Sequence, residues 1–229
     1  MSYELRTPLT SIGGFAEMLA AGYAGKLAPA ASDYVSAILE SVERLSKLIN
    51  DVLDLTHGDT SGVAIEAERV DLAGLCRAAI ETIHSRLADN DQTLDVAIEL
   101  STGIVVGDTR RLRESLEHVL RNAVAYTERG GHISFRANGN DHDAIVTIAD
   151  NGPGIEAEDQ ARVFSRFHRI GGGARGEAAL GLGLPLTRQF IEAHGGTVEL
   201  VSERGEGTAV TLTIPRTPSV PIPASVPAK

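Results

Sequence analysis

Tyr3, Glu4 and Thr7 open the chain in the stretch Ser2-Tyr3-Glu4-Leu5-Arg6-Thr7-Pro8-Leu9-Thr10, and their types and spacing suit group transfer. Positions i and i+4 of a helix share a face, so Tyr3 and Thr7 stand one above the other, with a carboxylate next to the phenol. Pro8 withdraws a backbone donor just below them and builds a bend into that helix. A phenol with an ordinary pKa of about 10 is almost wholly protonated at neutral pH, so nucleophilic chemistry at Tyr3 needs a base. Glu4 is the adjacent candidate. The competing reading makes Tyr3 an exposed aromatic kept for protein contact, a residue type enriched at interfaces.

Four further motifs carry chemistry. Glu117-His118-Val119-Leu120-Arg121-Asn122-Ala123 puts 118 and 122 on one helix face and can present Asn122 to a metal-bound phosphate; a lone asparagine in a helix is more often a polar residue facing solvent. Asp150-Asn151-Gly152-Pro153-Gly154-Ile155 follows an apolar strand, where the aspartate can accept from an exocyclic amine and the glycines permit a tight backbone. In isolation it is an ordinary strand-ending turn. Phe164-Ser165-Arg166-Phe167-His168-Arg169 runs into a glycine-rich stretch, so Arg166, Arg169 and Arg175 sit on one loop, either solvated or paired with phosphate. Gly181-Leu182-Gly183-Leu184 opens a helix, the place where backbone N–H groups and the helix dipole meet an anion.

The elements that must position these groups fall into two parts. Over residues 1–57, Leu5, Leu9, Ile12, Ala16 and Leu19 step by three and four, as do Val35, Ile38, Val42, Leu45, Ile49 and Val52. The breakers Gly22-Tyr23-Ala24-Gly25 and Pro29 lie between them, which predicts an antiparallel helical hairpin. Two helices cannot close a core around seams this wide, so a homodimeric four-helix bundle is expected; packing of the hairpin on its own C-terminal domain is the alternative. A polar break at His57-Gly58-Asp59-Thr60-Ser61-Gly62 predicts a linker over 58–64. Over 65–216 the pattern predicts mixed helices and strands. One helix is capped by Asp71 and runs through Leu72 to Leu87, another covers 109–126, and strands cover 94–100, 104–106, 133–137, 144–149, 198–201 and 209–214. Elements that do not strictly alternate imply an α+β sandwich of two layers. The proline-rich stretch 217–229 is expected to be extended.

With 21 basic and 31 acidic residues the net charge of the 229-residue chain is −10, which argues against generic binding to nucleic acid or anionic membrane and leaves proteins or small ligands as partners. Cys76 is the single cysteine and cannot form an internal disulfide. No apolar run approaches the roughly 20 residues of a membrane span, so the expected location is cytoplasmic. A helix already under way at residue 3 suggests a piece of a longer protein whose missing N-terminal region holds the sensory part and any membrane association.

In this order and spacing the motifs resemble those of bacterial sensor histidine kinases. The opening stretch resembles the phosphoacceptor box His-Glu-Leu-Arg-Thr-Pro-Leu with Tyr3 in place of the histidine. The four downstream motifs resemble the N, G1, F and G2 boxes of the ATP-binding domain, with Gly205-Glu206-Gly207-Thr208 as a final glycine box. The resemblance covers residues 1 to about 215 and implies a Bergerat-type (GHKL) ATP fold after the helical hairpin. It places Tyr3, Glu4 and Thr7 at the acceptor site, Asn122 as the Mg²⁺ ligand, Asp150 as acceptor for the adenine amine and Tyr126 beside the adenine. Gly152, Gly154, Gly181 and Gly183 then surround the nucleotide, with Arg166 and Arg169 toward the phosphates. Cofactors implied are ATP and Mg²⁺. The tyrosine resembles that of a variant member of the family in bacterial cell-cycle signalling, which implies a homodimer, a DivK-like response-regulator receiver and a CckA-like hybrid histidine kinase as partners.

Departures from the family pattern converge on phosphate handling. His118 replaces a common asparagine, Ala125 a phosphate-contacting lysine, and Ala179-Leu180 the Gly-Ser or Gly-Thr that opens the G2 box. Losing one charge-assisted contact costs roughly 1.5–3 kcal/mol, enough to misplace a γ-phosphate while adenine recognition survives. A phosphotyrosine would be an ordinary ester without the labile P–N bond of phosphohistidine, so a relay through Tyr3 is not expected. Two readings follow: a pseudokinase acting mainly by binding a response regulator and modulating a partner kinase, or an ATP-dependent kinase that phosphorylates itself on Tyr3. A chaperone or topoisomerase-type ATPase is disfavoured, because its glutamate base would stand where this chain has His118.

Overall fold

In the computed structural model the chain is described over residues 2–61, 65–168 and 181–217, with side chains described over 7–55, 65–168 and 181–217. It divides into two compact units, Met1–Thr60 and Ser61–Lys229.

The first unit is two helices, α1 (Ser2–Ala20) and α2 (Pro29–Ser61). The turn between them needs Gly22 and Gly25 at φ +82° and +97°, the left-handed region in which a β-carbon is strained. Helix α1 runs through Pro8 and Gly13-Gly14 without interruption. Where the helices meet, Leu9, Ala16 and Val35 are buried. A β-carbon added to Gly13 would lie 3.3 Å from Val42 Cγ1, so the absent side chain sets how closely the axes approach. Helix α2 continues through Gly58 to Ser61, four residues beyond the expected break at His57, so the anticipated 58–64 linker begins inside a helix.

The second unit is a two-layer α+β sandwich. Its five-stranded sheet has the order β2 (Thr93–Ile98), β4 (His132–Gly139), β5 (Asp143–Asp150), β7 (Gly207–Pro215), β6 (Thr197–Glu203). Only β2 and β4 are parallel; β4–β5, β5–β7 and β6–β7 are antiparallel. Alternation sends Ile133, Phe135 and Ala137 of β4 and Val146 and Ile148 of β5 into the core, where α3 (Leu72–Glu81), α5 (Thr109–Tyr126) and α7 (Gly183–Ala193) supply the other layer. Thr147 and Thr211 meet on the opposite face, their hydroxyls 3.1 Å apart.

Local chemistry explains where the observed elements depart from the expected ones. Asp71 occupies the N-cap position of α3, yet its carboxylate makes no cap hydrogen bond. The helix expected to continue to Leu87 stops at Glu81 and restarts as α4 (His84–Asp89), because the Thr82 hydroxyl turns back onto the Ala79 carbonyl at 2.7 Å. Strand β1 (Glu68–Asp71) pairs with β3 (Ile104–Gly107) in a separate two-stranded sheet. Helix α6 (Ala157–Gln160) is a single turn. By contrast α5 spans 109–126 as expected, since the Asp108 carboxylate caps it by accepting from the Arg111 N–H at 3.0 Å.

Candidate functional site

A cavity of about 310 Å³ lies within the second unit, between α5, α7 and the strands β5, β6 and β7. Each wall follows from its element. On α5 the residues Leu112, Leu116 and Leu120 are buried in the core, and the adjoining stripe sends Asn122 and Tyr126 to the cavity. Strand β5 ends at Asp150, beside the wall residues Ile148 and Val210, which are register partners across β5 and β7. Val163, Leu184 and Leu200 complete an apolar lining.

Asp150 is the single carboxylate in the described lining. Its Oδ1 accepts from the Gly152 N–H at 2.9 Å, and the Thr208 backbone also hydrogen-bonds the carboxyl group. Burial outweighs these bonds and pushes its pKa above the ordinary 3.8. The following turn is locked onto the β6–β7 turn. Gly205 N–H donates to the Pro153 carbonyl at 2.8 Å, and Ile155 N–H to Ser202 Oγ at 2.8 Å. Gly154, at φ +67°, lies where a β-carbon would be 2.0 Å from the Glu203 carbonyl oxygen. No other residue fits that approach.

Among the residues expected from sequence, the structure brings Asn122, Tyr126, Asp150, Gly154, Gly181 and Gly183 together on this one cavity. Gly152 is not on the lining; it is buried in the turn, where a β-carbon would press on the Tyr126 carbonyl at 2.8 Å. Arg166 is exposed and off the lining, and Arg169 lies outside the described residues, as do Arg175, Ala179 and Leu180. In the first unit Thr7 is exposed, whereas the side chains of Tyr3 and Glu4 lie outside those described. His118 shares a helix face with Asn122 but does not reach the cavity surface. It is 6% exposed, accepts from Arg121 Nη2 at Nδ1 over 2.9 Å, and underlies Gly183. His168 and Thr208 line the cavity and were not anticipated. Thr208 lay unused inside the final glycine motif, and His168 inside the arginine-bearing one.

A single node fastens the two helices that bound the cavity. His194, at the C-terminus of α7, accepts from the Asp108 N–H at Nε2 (2.9 Å) and donates from Nδ1 to the Phe190 carbonyl (2.6 Å). This fixes the neutral tautomer, and burial lowers the pKa below the ordinary 6.5. Asp108 meanwhile caps α5 and accepts from the Glu66 N–H at 3.1 Å.

An α+β sandwich with an apolar cavity, a half-buried aspartate at a strand end and glycines opening a helix is the architecture of the GHKL nucleotide-binding class. Comparison with known proteins agrees. Residues 107–218 match the "Histidine kinase-, DNA gyrase B-, and HSP90-like ATPase" family, and residues 1–61 match the "His Kinase A (phospho-acceptor) domain" family. The chain belongs to the bacterial sensor histidine kinase family. Among its relatives, the sensor protein DivL of Caulobacter vibrioides is 34% identical over 95% of this chain and 27% of its own length. The histidine protein kinase DivJ of the same bacterium is 36% identical over 94% of this chain and 36% of its own length. The circadian input-output histidine kinase CikA of Synechococcus elongatus is 34% identical over 94% of this chain and 29% of its own length. The chain thus spans about a third or less of these relatives. Among solved structures, full-length ShkA in complex with AMPPNP superposes with a TM-score of 0.77 at 28% identity, covering 99% of this chain and 47% of that one. No helix among the described residues is long and apolar enough to cross a membrane.

Proposed function

We propose that this chain is a two-component signalling module that acts in the cytoplasm mainly by binding a response-regulator receiver and modulating a partner kinase, with Tyr3 at the acceptor position. The observation that carries this reading is the tyrosine itself, set in a stretch that otherwise keeps the acceptor pattern. A phenol in that position retains a surface for docking and loses the labile nitrogen–phosphorus bond needed for relay. An aromatic also suits a contact surface, since buried tyrosines are frequent binding hot spots. Thr7, one turn along the same face, is exposed and would extend that surface. Similarity to DivL favours a DivK-like receiver and a CckA-like hybrid kinase as partners, in control of the cell cycle.

The cavity supports binding of ATP. Asp150 would accept from the adenine amine, Tyr126 would pack beside the base, and Gly154, Gly181 and Gly183 would let backbone approach the ligand. The donor set fits this assignment: an apolar slot with one carboxylate at its end suits a flat, amine-bearing base. Asn122, which lines the cavity, would hold Mg²⁺ together with the phosphates. Arg166 and Arg169 would serve the phosphates, as the family resemblance implies. Homodimerisation is supported by the seams of the first unit, where Ile12, Ile38, Leu45 and Val52 remain 49%, 42%, 46% and 38% exposed in a single chain.

The second reading, autophosphorylation on Tyr3, is favoured by the preserved cavity. Incubating the chain and Tyr3→His with γ-labelled ATP separates the two. Binding without transfer predicts no label on wild type and little on Tyr3→His, while receiver affinity falls more than about tenfold in Tyr3→Ala and is unchanged in Asn122→Ala. Label on Tyr3 of the wild type, or receiver binding that tracks Asn122, would establish the kinase reading instead.

A further inference from the structure

The described lining of the cavity contains neither lysine nor arginine, and His168 is its single side chain able to carry positive charge. A nucleotide phosphate brought into this cavity has no other cation on the described walls to meet. His168 sits where an anion would be drawn, because Gly181 packs directly on its backbone and α7 begins at Gly183. Its ring is held from behind. Nε2 is shielded from solvent, makes no hydrogen bond among the described residues, and lies 3.7 Å from Asp159 Oδ1. A proton on Nε2 therefore points at the carboxylate, which leaves Nδ1 as the nitrogen available to the cavity. The loose spacing is typical of a dyad that tightens when its ligand arrives.

The turn that presents this ring is itself fastened on both sides. Phe167 holds φ +58°, unusual for a bulky residue, and its N–H donates to the Gly181 carbonyl at 3.1 Å. His168 N–H donates to Ser165 at 3.3 Å, and three residues upstream of Phe167 the Phe164 ring stacks on the Arg188 guanidinium of α7 at 3.4 Å. A β-carbon on Gly181 would meet the His168 carbonyl at 2.3 Å, so only glycine permits the pairing of the two strands of backbone.

We propose that His168, oriented by Asp159, positions the phosphate-bearing end of a nucleotide in this cavity, an assignment that rests on reading the cavity as a nucleotide site. With a carboxylate behind Nε2 and a phosphate oxygen before Nδ1, both ring nitrogens can donate when the ring is an imidazolium. The role is one that Ala125, which offers no cation, cannot fill.

Calorimetric titration of the whole chain with adenosine and with ADP tests this, because only ADP presents phosphate. His168→Phe, which keeps ring volume, is expected to lower ADP affinity about tenfold, the scale of one charge-assisted hydrogen bond. Adenosine affinity should stay within about twofold, and His168→Lys, which restores a cation, should recover most of the ADP affinity. Equal losses for both ligands in His168→Phe would make the ring a packing wall, and an unchanged ADP affinity would remove it from binding; either overturns the proposal. Asp150→Asn serves as the control on the cavity itself. If it leaves both affinities unchanged, or if the wild type binds neither ligand, the nucleotide reading falls and this assignment with it.

Discussion

Asp150, the proposed acceptor for the adenine amine, works against the fold that holds it. Its carboxyl keeps a proton in the folded chain to a higher pH than the ordinary 3.8, so the folded state binds more protons than the unfolded state just above that value. Stability therefore falls as pH rises from 3.8 toward the folded value and stays lower at neutral pH. Asp150→Asn should raise the melting temperature of the ligand-free chain at pH 7 while abolishing nucleotide binding by calorimetry. His194 has the opposite dependence. Its folded pKa lies below 6.5, so its contribution is fully present above that value and is lost as pH falls, when a proton on Nε2 would oppose the Asp108 N–H. Of the charged groups in its surroundings, Asp108 partly offsets this, while Arg111 stacks 4.5 Å from the Phe190 ring and pairs with Glu114. Melting curves between pH 7.5 and 5 should drop more steeply for the wild type than for His194→Gln.

At the scale of elements, one arginine ties together parts of the chain far apart in sequence. Arg216 donates to the carbonyls of Asn140, Thr102, Ile104 and Ser101, while its own backbone bonds His142 and Val106. This joins the β4–β5 hairpin, the corner before β3 and the end of β7. Arg216→Ala should cost about 2–3 kcal/mol in urea unfolding, and lysine should not substitute, since one ammonium cannot match the planar fork. Nothing in the sequence marks this arginine. What was legible there were elements with a local signature: α5, from its Asp108 cap and apolar stripe, and the strands that alternate, such as β4 and β7. Strand β1, Glu-Arg-Val-Asp, is short and polar and takes its pairing from β3, so no periodicity announces it. The glycines and Asp150 were readable because backbone geometry and charge demand particular residue types. The apolar walls Ile148, Val163, Leu184 and Leu200 were not, because alternation tells which face of an element is buried but not which part of that face borders an empty space.

For the whole molecule, the exposed seam residues of the first unit ask for a second copy. Light scattering at tens of micromolar should give a dimer for the wild type, and Leu45→Glu, which puts a charge on a 46% exposed leucine of that seam, should give a monomer without unfolding the second unit. The sheet of that second unit has a further consequence, which concerns how the protein is made. Strand β7 is the last of the described strands in sequence, yet it lies inside the sheet, between β5 and β6. While the chain is still being synthesised, β5 therefore has an open edge and β6 has no neighbour at all. The sheet cannot close until residue 215 has left the ribosome and its exit tunnel, long after α5 and β4 have emerged. For all that time the nascent chain carries an unpaired strand edge beside a half-built apolar core, the condition in which growing chains pair with one another or are held by chaperones.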